Sequence, residues 1–479
     1  MIKEFLNWAG KKLMLMSEEN LSEKSYLETK ITRWLHSPQR MEQITGDRYY
    51  RGDHDIFKKK RMGIGRDGEP MELKNLPNNR NVDNQYAKMV DQKVSYLLGQ
   101  PIAFNCDDEN YVASLEKIFN KRFHKLLKTV GEDCLNGGIA WIYPYYGENG
   151  ELKFKRFASY EILPFWSDDE HTELAMAVRY YIEEDPKHID KVIEKIEVYT
   201  KQGIDFYRFE NNRLIPDVAK PHVNYFAVGD QEYNWDRIPL VAFKLNAKEI
   251  PLIKRCKNLQ DSINEIVSTF KNNMEEDARN TILVLENYEG QDLGEFRQNV
   301  AQYGVIKVGS VDGARGDVRT LQVEVNATNY ESILKMLKKA LIDNCKGYDF
   351  SELRTGGSPN QMNIKSIYSD IDLDANAMEL EFQCAFEDLL WFVNRSLKVE
   401  DEEVEIIFNR DGVVNETEIM QMLVSAGVKI SNRTLLAQVP FIDDIEEELK
   451  EVENEEQKAM DAYAGAMPMT GKKQGGGIK

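Results

Sequence analysis

Between Pro251 and Val399 the chain spells two amphipathic helices on either side of a short, Gly-studded β segment, then a Gly/Ser/Pro loop, then a third and longer helix. In the first helix Leu252, Cys256, Leu259, Ile263, Ile266, Phe270, Met274 and Ala278 recur at steps of three and four. That spacing sets them on one stripe of a helix opened by Pro251. At about 1.5 Å per residue such a helix is about 42 Å long, longer than a small globular domain is wide. A stripe that long has to be covered, and neighbouring chains can cover it, so the pattern points to an assembly. No catalytic motif interrupts the run.

Composition fits a chain with packed cores and several parts: 479 residues, 42% of them hydrophobic, suffice for more than one domain. Apolar runs stay short of the roughly 18 residues a membrane span needs. The first residues, MIKEFLNWAGKKLMLMSEEN, break their apolar positions with Glu4, Lys11 and Lys12, unlike the core of a secretory signal. This reading places the chain in the cytosol or in an assembly built there. Cys106, Cys134, Cys256, Cys345 and Cys384 are widely spaced and lack a CxxC, which argues for free buried thiols over a disulfide framework or a zinc site. Lys and Arg total 62 against 81 Asp and Glu, a balance of -19, the wrong sign for holding DNA by neutralising phosphates. Much of the excess lies between Asp401 and Asp461, where 17 acidic residues face 5 basic ones.

Up to about Asn78 the pattern predicts helices joined by polar loops, with a basic cluster, Lys58 to Arg61, ahead of the turn-rich GIGRDGEP. A helix is expected from Asn84 to Leu98, with Tyr86, Met89, Val90, Val94 and Leu97 on one face and Gly99-Gln100-Pro101 as its stop. Another is expected from Tyr111 to Asn136. From Ile139 the period changes to two: IAWIYPYY, GENG and ELKFKRFA read as a β-hairpin, continued by a meander of strands to an α+β domain boundary near Asn246. Past the Pro251 helix come strands TILVLENYEG and YGVIKVG with a small helix, DLGEFRQNV, between them. After the long helix follow a strand, VEIIFNRD, two helices and a Gly/Lys-rich tail.

Gly63 to Gly68, GIGRDG, matches the dinucleotide fingerprint, yet no strand is expected before it and Glu69-Pro70 follows where a helix should begin. No phosphate-cradling GxxxxGK[ST] occurs, so a nucleotide-driven motor would reside in another protein. Asp370, Asp372, Asp374, Asn376 and Glu381 fall at the ligand positions of a calcium loop, but Ala375 stands where that loop needs Gly. Capping and solvation are their ordinary role, with a divalent cation shared with another subunit as the alternative. Six scattered histidines lack ligand spacing, no Ser or Cys sits in a GxSxG elbow, and Arg51-Gly52-Asp53 is short enough to arise by chance. Nothing here argues for an enzyme, a metal or a cofactor.

The order of segments resembles tailed-bacteriophage portal proteins, the head-tail connectors: PNNRNVDNQYAKMVDQKVSYLLGQPIAF, the meander, the Pro251 helix, ILVLENYEG, the helix ending in Gly347-Tyr348-Asp349, and the long helix. The resemblance implies an α+β fold of portal type: a wing over 1–250, a stem helix over 251–279, a clip over 280–325, a second stem helix over 326–346, a tunnel loop over 347–361, a wing helix and strand over 362–414, and a crown with a tail over 415–479. It implies a ring, usually of twelve subunits, at one vertex of the capsid in the virion. Its partners would be the terminase large subunit, head-completion or adaptor proteins, major capsid and scaffolding proteins, and double-stranded DNA in transit, with no membrane. Carried onto this chain, Leu259, Ile263, Ile266 and Phe270 would serve stem assembly. Asp312, Arg315, Asp317 and Arg319, exposed charges of both signs on a short β insert, would meet a partner at the clip. Ser351, Arg354, Thr355, Ser358, Asn360 and Gln361 would offer phosphate-compatible donors in the tunnel loop. A structural ring or pore of another secretion or contractile apparatus is the alternative, since it would share the long helices and the acidic balance.

Overall fold

The computed structural model describes residues 23–64, 68–74, 76–185, 188–277, 282–286, 310–311, 314–315, 317–321, 327–349, 361–399 and 403–410, with a few positions after 448. The helices are α1 (Glu23–Leu35), α2 (Pro38–Tyr50), α3 (Gln85–Leu98), α4 (Glu109–Ile118), α5 (Lys121–Gly137), α6 (Ile253–Asp277), α7 (Ala327–Asn344) and α8 (Gln361–Leu397). With the strands between them they make an α+β chain. Two compact units divide it: residues up to Gly347 together with Leu373–Arg410, and Tyr348–Asp372 together with the residues from Asp411.

In the first unit the meander is an antiparallel sheet in the order Arg213–Pro216, Gly203–Glu210, His188–Thr200, Leu174–Asp185, Ile162–Trp166, with His222–Val223 added on Gly203–Glu210. Period-two alternation sends Met176 and Val178, Ile196 and Val198, and Phe209 and Leu214 into one core, closed by Ile31 of α1. Each such side chain contributes about 1.5–3 kcal/mol by leaving water. Beside this core, Arg179 spans Glu161 at 2.9 Å and Glu197 at 3.2 Å and lies over the rings of Phe157 and Tyr181.

A second sheet, Val241–Lys244, Ile139–Tyr146 and Leu152–Phe157, carries α5 and the later part of α8. Its packing is aromatic: Phe119 and Phe123 each meet both Phe154 and Phe386, and Phe243 meets both Phe382 and Phe386. Gly138 turns the chain from α5 into the sheet with φ 81°, and a Cβ there would lie 2.0 Å from the Glu249 carbonyl. Only glycine fits both constraints. In the second unit, Ile364, Tyr368 and Ile371 of α8 are buried, with the Tyr368 ring 4.8 Å from that of Tyr348.

Four expectations need correction. The helix expected from Tyr111 to Asn136 is two, α4 and α5, because the Asn120 side chain accepts from the Arg122 N–H and starts a new helix. GIGRDGEP does hold regular structure: Met62–Ile64 pairs with Pro70–Glu72 as a hairpin. Its first glycine therefore lies inside a strand, and the strand Pro70–Glu72 stands where a dinucleotide site needs a helix. Helix α6 opens at Ile253, two residues after Pro251. Finally, Cys384 is exposed and Cys106 half-buried, while Cys134, Cys256 and Cys345 are buried thiols.

Candidate functional site

Helices α6 and α7 run antiparallel: the Cys256 thiol of α6 neighbours Cys345, just past α7, at one end, and the Phe270 and Tyr330 rings lie 5.0 Å apart at the other. Beyond that end Ile282–Glu286 pairs antiparallel with Asp317–Leu321, and Ser310–Val311 pairs with Ala314–Arg315. In this register Arg315 stands opposite Ser310, Asp317 opposite Glu286 and Arg319 opposite Val284. Asp312 lies outside the described residues, as do the expected helix DLGEFRQNV and strand YGVIKVG.

The apolar stripe of α6 is already used inside the chain. Ile263 is fully buried, and Leu259, Ile266 and Phe270 are half-buried. A charge at position 263 would therefore disturb the chain's own packing before any contact between chains. Apolar surface left open on this pair belongs instead to Met274, Ile333 and Met336, which are 55%, 44% and 69% exposed.

The opposite surprise lies on the polar side of α6, where Gln260, Asn264 and Ser268 are buried and Asn272 half-buried, four residues apart. They hold an extended strap, Asn79 to Asp83. The Asn79 N–H donates to Asn272 Oδ1 at 2.7 Å, the Asn81 N–H to Ser268 Oγ at 2.9 Å, and the Asp83 N–H to Asn264 Oδ1 at 3.0 Å. The Tyr86 N–H, in the first turn of α3, donates to Gln260 Oε1 at 2.9 Å, satisfying one of the donors every helix start leaves open. Four helical residues advance about 6 Å and two extended residues about 6.6 Å, so the two repeats nearly match and a rung forms at every step. Across the pair, Lys338 of α7 reaches Asp83 at 2.6 Å.

Asn264 also places its amide nitrogen 2.8 Å from His54 Nδ1, while His54 Nε2 lies 3.0 Å from the Tyr49 carbonyl. His54 then accepts at Nδ1 and donates from Nε2, the neutral tautomer. Burial lowers its pKa below the ordinary histidine value.

Where α3, α6, α7 and α8 meet, three cations converge on Asp374. Lys93 Nζ lies 2.8 Å from its Oδ2, and Arg255 Nη1 and Lys346 Nζ lie 3.4 and 3.1 Å from its Oδ1. Burial alone would push the Asp374 carboxyl up, and the three cations outweigh it and hold it below its ordinary value. Burial pulls the Lys93 ammonium down, offset only in part by Asp374. Committed to three cations and set within the continuous helix α8, Asp374 cannot serve as a calcium-loop ligand. The sequence carried a signal for this cluster: Lys93 sits on the apolar face of α3, four residues from Met89 and Leu97.

Of the loop candidates, Gln361 is the first residue of α8 rather than part of a loop, and Ser351, Arg354, Thr355, Ser358 and Asn360 lie outside the described residues. The same holds for nearly all of 411–479, with the acidic helix expected from Ile442 to Tyr463 and the terminal tail.

The match that decides the family runs through all of these elements: the family model for phage portal protein, SPP1 Gp6-like, matches residues 28–462. This chain belongs to that portal protein family. Among relatives, the portal protein of Bacillus phage SPP1 is 28% identical over 444 residues, covering 90% of this chain and 85% of the relative. A portal protein of Clostridium phage phiCD119 is 26% identical over 423 residues, covering 85% and 91%. In this portal family member, no helix among the described residues is long and apolar enough to cross a membrane.

Proposed function

We propose that this chain forms a closed ring, of twelve subunits, at one vertex of a phage capsid, and that double-stranded DNA enters and leaves through its centre. It acts structurally rather than as a catalyst. The observation that carries the reading is the antiparallel α6–α7 pair inside the family match, with Met274, Ile333 and Met336 open along it. Head-to-tail contacts of a ring would cover those side chains once per subunit. In this reading α6 and α7 are the stem and residues 280–325 the clip, where Arg315 and Arg319 meet the terminase large subunit and then the head-completion proteins. Residues 347–360 form the tunnel loop, with Arg354 its one full positive charge. The acidic balance of -19 lets phosphates pass without being trapped.

Light scattering on the purified protein tests the ring. Ile333→Asp with Met336→Asp changes only exposed positions, so the chain should fold and remain unassembled; rings of undiminished yield would refute the stem contact. Capsids carrying Arg354→Glu should retain shortened or leaking genomes, and full-length, stable genomes would leave 347–360 as a plain connector.

A further inference from the structure

The Asp374 cluster holds three cations on one carboxylate in a chain whose overall balance is -19. Among the described residues none of the three cations has a second carboxylate partner. Their exposure differs: Lys93 is 5% exposed in its side chain, Arg255 38% and Lys346 45%. The buried cation contacts Oδ2 and the two open ones contact Oδ1, so one carboxylate oxygen is locked inside and the other is shared at the surface.

Lys346 occupies a position where another residue would be expected. The Gly347 N–H bonds the Ile342 carbonyl at 2.9 Å and the Lys346 N–H bonds the Asp343 carbonyl at 3.0 Å, the pattern that ends a helix with one left-handed residue. That residue is usually glycine, and here it is Lys346 with φ 51°. The next residue is fixed as well: a Cβ on Gly347 would lie 2.6 Å from Met89 Sδ and 2.8 Å from Gln92 Oε1 of α3. A long cationic side chain is thus kept, against backbone preference, at the residue preceding the proposed tunnel loop.

We propose that Arg255 and Lys346 form a binding site for a phosphate-class oxyanion, the phosphodiester of passing DNA, and that Asp374 weakens it by competing for the same two cations. An arriving phosphate replaces Oδ1 as their partner, and Oδ1 returns when the phosphate leaves. Neither cation is left bare at any stage, which makes the contact transient. The DNA assignment rests on the conduit reading; the oxyanion site itself does not.

Titration of the full-length assembled protein with pyrophosphate, and with a short duplex over a range of KCl concentrations, tests the site. Arg255→Gln with Lys346→Gln alters two half-exposed positions and should weaken pyrophosphate about tenfold or more and flatten the salt dependence of duplex binding. Asp374→Asn should tighten both; because it strands Lys93, Lys93→Met with Asp374→Asn serves as the second variant. Equal pyrophosphate and duplex binding in wild type and the Gln variant overturns the inference. Capsids that package DNA without this protein would sink the conduit reading and leave the oxyanion site, measured on the purified protein, standing.

Discussion

Replacing Asn264 with alanine should release the strap from α6. Asn264 is fully buried; it accepts from the Asp83 N–H and from Gln260 Nε2, each at 3.0 Å, and its amide nitrogen lies 2.8 Å from His54 Nδ1. Alanine strands the Asp83 N–H and His54 Nδ1, whereas Gln260 Nε2 keeps the Asp83 carbonyl at 2.8 Å. Two stranded buried groups at about 1–3 kcal/mol each cost about 4 kcal/mol, roughly a thousandfold in the local opening equilibrium. Ser268→Ala strands the Asn81 N–H and loses the longer 3.4 Å bond from Ser268 Oγ to the Asn81 carbonyl, and should cost about 1–2 kcal/mol. Asn272→Ala should cost less than about 1 kcal/mol, because water reaches that half-exposed rung. Hydrogen exchange followed by mass spectrometry over residues 79–86 reads the series directly. Faster exchange should follow the order Asn264, Ser268, Asn272; unchanged protection in Asn264→Ala, or a larger effect at Asn272, would refute the ladder as what holds the strap.

Three further outcomes follow from the packing. Arg179→Met removes the shared partner of Glu161 and Glu197 and should destabilise by about 3–5 kcal/mol in denaturant titration, whereas a loss below about 1 kcal/mol would mean the pair is solvated. His54 is neutral when folded, with its pKa lowered chiefly by burial, so the unfolded chain binds the extra proton below its ordinary value of 6.5. Its contribution is full above that pH and is lost as pH falls below it; His54→Gln should reduce the acid-side slope of stability, and an identical slope would exclude His54 as its source. Gly46→Ala places a Cβ 2.0 Å from the Asn136 carbonyl, which must separate α2 from α5 and cost about 1–3 kcal/mol or more; an unshifted melting midpoint would show that the crossing is looser than this.

Elements whose apolar pattern matched their packing were legible in the sequence. The face of α3, the Ile139–Phe157 hairpin and the meander follow periodicity because burial alone positions them. The break between α4 and α5 was hidden because Tyr111, Leu115, Phe119, Phe123 and Leu127 keep a four-residue step straight through it. Only the cap at Asn120 marks the restart, and a cap is one residue against a run of five. The ladder was invisible for a different reason: counting apolar residues assigns Gln260, Asn264, Ser268 and Asn272 to a solvated face, although a polar four-residue step is equally periodic. Asp374 read as a failed calcium ligand because its cations come from α3, α6 and the end of α7, distant in sequence.

The ladder also has a mechanical side. Its rungs lie one behind another along α6, so a pull along the helix axis loads them together in shear, whereas a sideways pull would peel them one at a time. Helix and strap therefore yield to axial tension as a single two-ply rod. Lys338 extends that coupling to α7 through Asp83, so a push on either helix is passed to the other without having to travel through the strands at their far end.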